Sequence, residues 1–275
     1  MHNNSLPARR RPIKRTALAL TAVSLSATLA ACGDGGGDGV GGGNDARTTA
    51  ATSGTSESTG KKVLWLGDSI AGAEAPALGA ALKAGGVAFK NATSSGGGNV
   101  VAGEHPVTKM GAKDTWQQLG KNLAEFKPDV VAYQITTYDW GTRQQQLAAY
   151  RKLAATVQKA GGELVIVSAP PFKLDDFYKQ YASAIKSAPE TARQAAQDGK
   201  AQFLDASELW GTDASASKAQ RSKDGIHSCQ QGSAAFAKWF TGKLGEQLGF
   251  TPAAPEAWAN GSWVGDERFS KLGCA

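Results

Sequence analysis

Five short apolar runs are spaced along residues 62–206, and no other feature restricts the fold as strongly. They read KVLWL (62–66), VAFKNA (87–92), DVVAYQI (129–135), ELVIVSA (163–169) and AQFLDA (201–206). Between them lie segments rich in Ala, Leu, Lys and Gln, such as APALGAALKAG and RQQQLAAYRKLAATVQKAG. The second of these ends in Gly161-Gly162, a helix stop. Strands alternating with helices build a parallel sheet covered on both faces. The expected class is α/β, and in such sheets ligands bind beyond the carboxyl ends of the strands. Residues directly after each run therefore carry the functional interest.

The first run is followed abruptly by Gly67-Asp68-Ser69. Ser69 has two readings, a helix cap or a nucleophile. A hydroxyl is a poor nucleophile unless a base takes its proton and a third group orients that base. Beyond the first 31 residues the chain has only two histidines. His105, in GEHPV, precedes a proline and has no orienting acid at a fixed spacing. His227, in DGIHS, follows Asp224 by three residues, so a carboxylate can reach one ring nitrogen while the other faces a substrate. The last helix begins near SCQQGSAAFAKWF and fixes where that loop ends. Ser228 with Gln231 fits a capping box, and Phe236, Phe240, Leu244 and Leu248 repeat as one buried face beside Trp239.

The N-terminal stretch is of a different kind. MHNNSLPARRRPIKR is basic without an acidic residue, and TALALTAVSLSATLAAC follows it. Residues 1–31 are expected to be an export signal, since the apolar run is too short and too rich in Ala, Ser and Thr for a membrane span. LAAC, Leu29 to Cys32, has the form of a lipobox, at which bacterial lipoproteins are cleaved and lipidated on the cysteine. Cys32 is then the lipid attachment and the membrane is a partner; a simple cleavage nearby, leaving Cys32 bare, is the alternative. Five cations leave with the leader, so the net charge falls from +6 to +1. That balance gives no nucleic-acid footprint.

Residues 32–60, dominated by Gly, Ser, Thr and Asp, read as a flexible tether of roughly 30 Å r.m.s. span. Residues 61–250 form the expected folded domain, and 251–275 an irregular C-terminal strap. With Cys32 lipidated, Cys229 and Cys274 remain as an even pair that an oxidising compartment would bridge; two unrelated thiols are the alternative. No Cys-x-x-Cys or His-Glu-x-x-His motif supports a metal, and SSGGGN lacks the lysine of a phosphate loop, so no cofactor is implied.

GDS at 67–69 and DGIH at 224–227, at the two ends of the α/β pattern, resemble the blocks of the SGNH (GDSL) hydrolases. These are serine esterases and lipases built as a three-layer α/β/α sandwich, flavodoxin-like, with a parallel sheet of about five strands. The resemblance implies that Ser69 is the nucleophile, His227 the general base and acid, and Asp224 its orienter, with Asp68 beside the substrate. The family's second block places a glycine five residues beyond an asparagine. Here Asn91 leads to Gly96, so the N–H groups of Ser69 and Gly96 are expected to bind the oxyanion; a flexible turn is the other reading of Gly96 to Gly98.

The third block, normally Gly-x-Asn-Asp, falls at Thr136-Thr137-Tyr138-Asp139. Tyr138 replaces the asparagine and Thr136 the glycine. Losing one oxyanion donor costs about 10²–10³ in turnover, unless the Tyr138 hydroxyl, Thr137 or a backbone amide substitutes. Similar departures occur in SGNH domains fused to membrane acyltransferases that modify bacterial surface sugars. Trp140 follows directly and is expected to stack on a sugar ring; Trp116, Trp210, Trp258 and Trp263 read as packing.

Three functions fit. One is a lipid-anchored esterase on O-acyl groups, such as acetyl, of a carbohydrate or small ester. Another is an O-acyltransferase acting on envelope polysaccharide. The last is a binding or assembly lipoprotein that keeps the fold with a weak site.

Overall fold

A computed structural model describes residues 57–274. The expected leader at 1–31, Cys32 and nearly all of the 32–60 segment lie outside the described residues. Strands β1 (Lys62–Leu66), β2 (Ala88–Asn91), β3 (Val130–Gln134), β4 (Glu163–Val167) and β5 (Gln202–Leu204) form one sheet in the order β2-β1-β3-β4-β5. Every pairing is parallel, with Val63 opposite Phe89 on one side and Val130 on the other. The order reverses at β1. Such a switch point opens a crevice beyond the strand ends, and Ser69 lies at its edge.

The helices are α1 (Ser69–Ala84), α2 (Pro106–Phe126), α3 (Arg143–Lys159), α4 (Asp176–Lys179), α5 (Ala182–Asp198), α6 (Ser207–Trp210), α7 (Gln230–Leu248) and α8 (Glu267–Lys271). Alternation along each strand divides the core into two layers. Val63, Trp65, Val130 and Ala132 face α1 and α7, where Leu78, Leu82, Phe236 and Phe240 meet them. Leu64, Leu66, Val131 and Tyr133 face α2, α3 and α5 through Leu119, Tyr150, Leu153 and Ala192. The result is a three-layer α/β/α sandwich. Both layers are apolar, which is why the strands read as continuous hydrophobic runs. Trp65 is fully buried between Phe236 and Phe240, and its indole N–H donates to the Ala71 carbonyl, tying β1 to α1.

Gln145 closes a capping box with Thr142 at the start of α3, and Gly161, at φ +84°, follows its end. The capping box expected at α7 does not form. Cys229 is the residue before the helix, and Ser228 points into the interior with its hydroxyl unpartnered. The reason is pairing further back: Ser228 bridges Arg221, and Cys229 is joined to Cys274. Residues 251–274 are more regular than expected. They hold two 3₁₀ turns, Pro255–Ala257 and Ser262–Gly265, and then α8, and they bury Trp258, Trp263 and Phe269 against the α1/α7 layer. No helix among the described residues is long and apolar enough to cross a membrane.

Candidate active site

The turn after β1 requires glycine. Gly67 has φ +150°, and a Cβ there would lie 2.5 Å from the Ala71 Cβ and 3.3 Å from the Gln134 carbonyl oxygen. This tight approach starts α1 directly at Ser69. Asp68 caps the helix by accepting from the Ile70 N–H at 3.0 Å. At the first helical position the Ser69 N–H has no intrahelical acceptor, and the helix adds partial positive charge there.

The second part of the site arrives 158 residues later in sequence, on the loop before α7. His227 Nε2 lies 2.8 Å from Ser69 Oγ, and His227 Nδ1 lies 2.7 Å from Asp224 Oδ2. The other carboxylate oxygen of Asp224 accepts from Ser222 Oγ, Ile226 N and His227 N at 2.7, 2.7 and 3.0 Å. Partial burial works to raise the Asp224 carboxyl, but these donors and the imidazole outweigh it and hold it down at about 2. The carboxylate is therefore ionised across the working range and its geometry is fixed by its own loop. The structure brings Ser69, His227 and Asp224 into one hydrogen-bonded chain, with Ser69 partly exposed at its end. His105 takes a separate structural position: its Nδ1 accepts from the Val107 N–H at the start of α2.

Asp68 requires a correction. It is 1 % exposed, and its second oxygen accepts from Thr137 N at 2.7 Å and Thr137 Oγ1 at 2.9 Å. A carboxylate so enclosed has no oxygen left for a substrate; it ties the Ser69 turn to the end of β3. Burial raises it above the usual aspartate range, opposed by those Thr137 bonds. Both donors of Thr137 are thereby consumed, so Thr137 is no oxyanion donor.

Trp140 also differs from expectation. It is 3 % exposed, and Tyr181 stacks on it at 3.6 Å with an interplanar angle of 6°. The face expected to meet a sugar is covered. Phe177, Tyr178 and Tyr181 from α4 and its exit pack around Trp140 and Tyr138, leaving Phe177 46 % exposed. The sequence signal for this wall was the DDFYKQY stretch at 175–181, which places three aromatics within five residues.

Around the third block, Asp139 is a buried hub. It accepts from the Tyr133 hydroxyl at 2.6 Å and from the N–H groups of Thr136, Val100 and Val101 at 3.1, 3.3 and 3.3 Å. Burial pushes its carboxyl up to about 6 despite those donors. The Tyr138 N–H donates to Thr136 Oγ1, so the amide of that residue is also consumed and only its hydroxyl remains available.

On the other side of Ser69, the loop after β2 packs onto the turn at Gly67. Ser94 N donates to the Gly67 carbonyl, and Gly98, at φ +75°, approaches Gly67 so closely that any Cβ would collide with its carbonyl oxygen. The close backbone approach that an oxyanion site needs thus belongs to Gly98, not to the expected Gly96. Gly96 itself is exposed with open space about it. A cavity of about 270 Å³ opens here, lined by Thr93, Ser94, Gly96, Met110, Asp114 and Gln118 among others. Among the described residues no three His, Cys, Asp or Glu side chains gather to hold a metal ion.

The family described as "SGNH domain (fused to AT3 domains)" matches residues 33–222. The chain belongs to the SGNH hydrolase family. The matched region holds the Gly67-Asp68-Ser69 turn and the second and third blocks, while the Asp224–His227 loop lies just beyond it. No curated protein matches the chain. Among solved structures, the chain is similar to a carbohydrate acetylesterase from Sinorhizobium meliloti, 17% identical, over 68% of this chain and 99% of that one, with a TM-score of 0.53. It is also similar to an aryl esterase from M. smegmatis, 16% identical over 68% and 99%, with a TM-score of 0.52. An acetyl xylan esterase is 16% identical over 66% and 98%, with a TM-score of 0.50. These likenesses share the SGNH fold.

Proposed function

We propose that this SGNH hydrolase is an exported, lipid-anchored serine esterase that removes O-acyl groups, such as acetyl, from a carbohydrate through an acyl-enzyme. The continuous chain from Ser69 Oγ through His227 to Asp224 carries this reading. His227 Nε2 accepts the Ser69 proton as Oγ attacks the ester carbonyl, and Asp224 holds the ring and balances the charge that develops on it. The oxyanion is held by the Ser69 N–H at the start of α1 and by N–H groups of the Gly96–Gly98 loop, with the Tyr138 hydroxyl as a third donor. His227 then returns the proton to the departing sugar oxygen. Water, deprotonated by the same ring, releases the acid and restores Ser69.

A carbohydrate substrate is supported by two flanks of the site. One is the cavity of about 270 Å³ with Thr93, Ser94, Asp114 and Gln118 on its walls. The other is the aromatic wall that exposes Phe177. The acetylesterase and acetyl xylan esterase named above act on esters of this kind. Export and lipid attachment at Cys32 rest on the LAAC motif, and the Cys229–Cys274 bridge suits an oxidising compartment. The family's description as a domain fused to AT3 domains favours a second reading, in which the same acyl-enzyme passes its group to a sugar hydroxyl.

The test is labelling with a serine-reactive phosphonate, read by intact mass, on the wild type and Ser69→Ala. One adduct, lost in the variant, is expected. Incubation with acetylated oligosaccharides then shows whether the acyl group goes to water or to an added sugar. An unlabelled wild type that also cleaves no acetyl ester overturns the proposal.

A further inference from the structure

Behind the nucleophile lies a buried carboxyl that the reaction scheme does not use. Glu74 stands on α1 five residues after Ser69 and is fully buried. Gln134, also fully buried, is the last residue of β3, two residues before the third block. Gln134 Nε2 donates to Glu74 Oε2 at 2.7 Å. The two remaining oxygens of this pair, Glu74 Oε1 and Gln134 Oε1, have no hydrogen-bond partner.

An ionised Glu74 would leave both oxygens unsatisfied, each a costly desolvated acceptor. A single proton on Glu74 Oε1 satisfies both, because the carboxyl then donates to the amide oxygen while accepting from the amide nitrogen. None of the charged groups around the pair hydrogen-bonds to either of these oxygens. Arg221 faces it from the loop before α7; its Nε and Nη1 donate to the Ala219 and Ile226 carbonyls at 2.7 and 3.1 Å and its guanidinium lies over the Trp210 ring, while its Nη2, buried and without a partner, makes no bond to Glu74. Asp68, on the turn before α1, adds negative charge, and Asp224 draws on the same arginine. From α7, Ser233 donates to the Ala73 carbonyl. Burial pushes the Glu74 carboxyl up to about 8, against the opposing influence of Arg221 and the Gln134 amide.

We propose that Glu74 is a positioning residue that works as a neutral acid, closing a two-bond acid–amide ring with Gln134 that fastens α1 to β3 behind Ser69. The Asp68–Thr137 link joins the turn before α1 to the segment after β3, so together the two links fix where Ser69 stands relative to the third block. Ionising Glu74 opens the ring and frees the start of α1, which gives catalysis an alkaline limit. That limit rests on the Ser69 reading; the proton on Glu74 does not.

The test separates the two parts. A carboxyl kept protonated in the fold but ionised in the unfolded chain makes wild-type stability fall as pH rises from the ordinary glutamate value of 4.5 to about 8. Glu74→Gln keeps the shape and the donor but has no proton to lose. The ratio of unfolding constants, wild type over Glu74→Gln, should rise about tenfold per pH unit through the middle of this range and level off above it. A ratio that stays flat from pH 5 to 8 overturns the neutral acid. Should the variant fail to fold, ¹³C spectra of wild-type protein labelled at the glutamate carboxyls decide: one resonance titrating near pH 8 supports the proton, and none above pH 6 overturns it. On an ester substrate, the alkaline fall of kcat in the wild type should move to higher pH in Glu74→Gln. An unmoved limb removes the catalytic role and leaves the ring structural.

Discussion

The ends of β1 and β3 are neighbours in the sheet, yet they treat their polar groups in opposite ways. At the β1 end, hydrogen bonds run outward. Asp224 orients His227, His227 reaches Ser69, and the chain finishes on a partly exposed hydroxyl. At the β3 end they run inward. Thr137 gives both donors to Asp68, the Tyr138 amide serves Thr136, and Asp139 gathers four donors from its surroundings. An open chain ends in a group available to react, whereas a closed one ends in rigidity. The third block thus braces the Ser69 turn, and in the proposed reaction oxyanion binding is assigned mainly to the β1 turn and the glycine loop.

The largest test of this contrast is at the open end. Ser69→Ala or His227→Ala should lower turnover at least about 10⁴-fold without disturbing the melting temperature, because each removes a reacting group. Asp224→Asn should follow, at about 10³–10⁴-fold in kcat, because an amide no longer favours the ring tautomer that accepts the serine proton. A loss below tenfold would mean that His227 is oriented by something other than Asp224. Reducing Cys229–Cys274, which closes a loop 45 residues in sequence, should cost up to about 4 kcal/mol of stability. An unchanged melting temperature after reduction would show that packing of Trp258, Trp263 and Phe269 holds the strap without the bridge. The smallest effect is expected at the closed end, where Tyr138→Phe should lower kcat about tenfold and leave KM in place. Equal rates would take the Tyr138 hydroxyl out of the reaction.

The candidate triad was legible because its two motifs sit at the two ends of the strand–helix alternation, and each has a local geometry. Gly67 makes the turn that exposes Ser69, and the three-residue step from Asp224 to His227 closes within one loop. Asp68 and Trp140 were misread for a common reason. Asp68 lies one residue from Ser69 and Trp140 two from Tyr138, and nearness in sequence does not say which way a side chain points. The Glu74–Gln134 pair was invisible, since 60 residues separate its members and neither belongs to a motif. Ser228 looked like a helix cap until the Arg221 bridge and the Cys229 link claimed its stretch of backbone.

The sequence by itself determined the sheet, its parallel sense, the helices that cover it and the strand end at which a nucleophile would stand. Those follow from hydrophobic period and turn chemistry, which act over a few residues. Only the tertiary structure decided the partners of the buried polar groups. It turned Asp68 inward onto Thr137, covered Trp140 with Tyr181, made Asp139 a hub and set Glu74 against Gln134. A polar group taken out of water must find its hydrogen bonds among whatever the fold brings alongside, and that neighbour can come from anywhere in the chain.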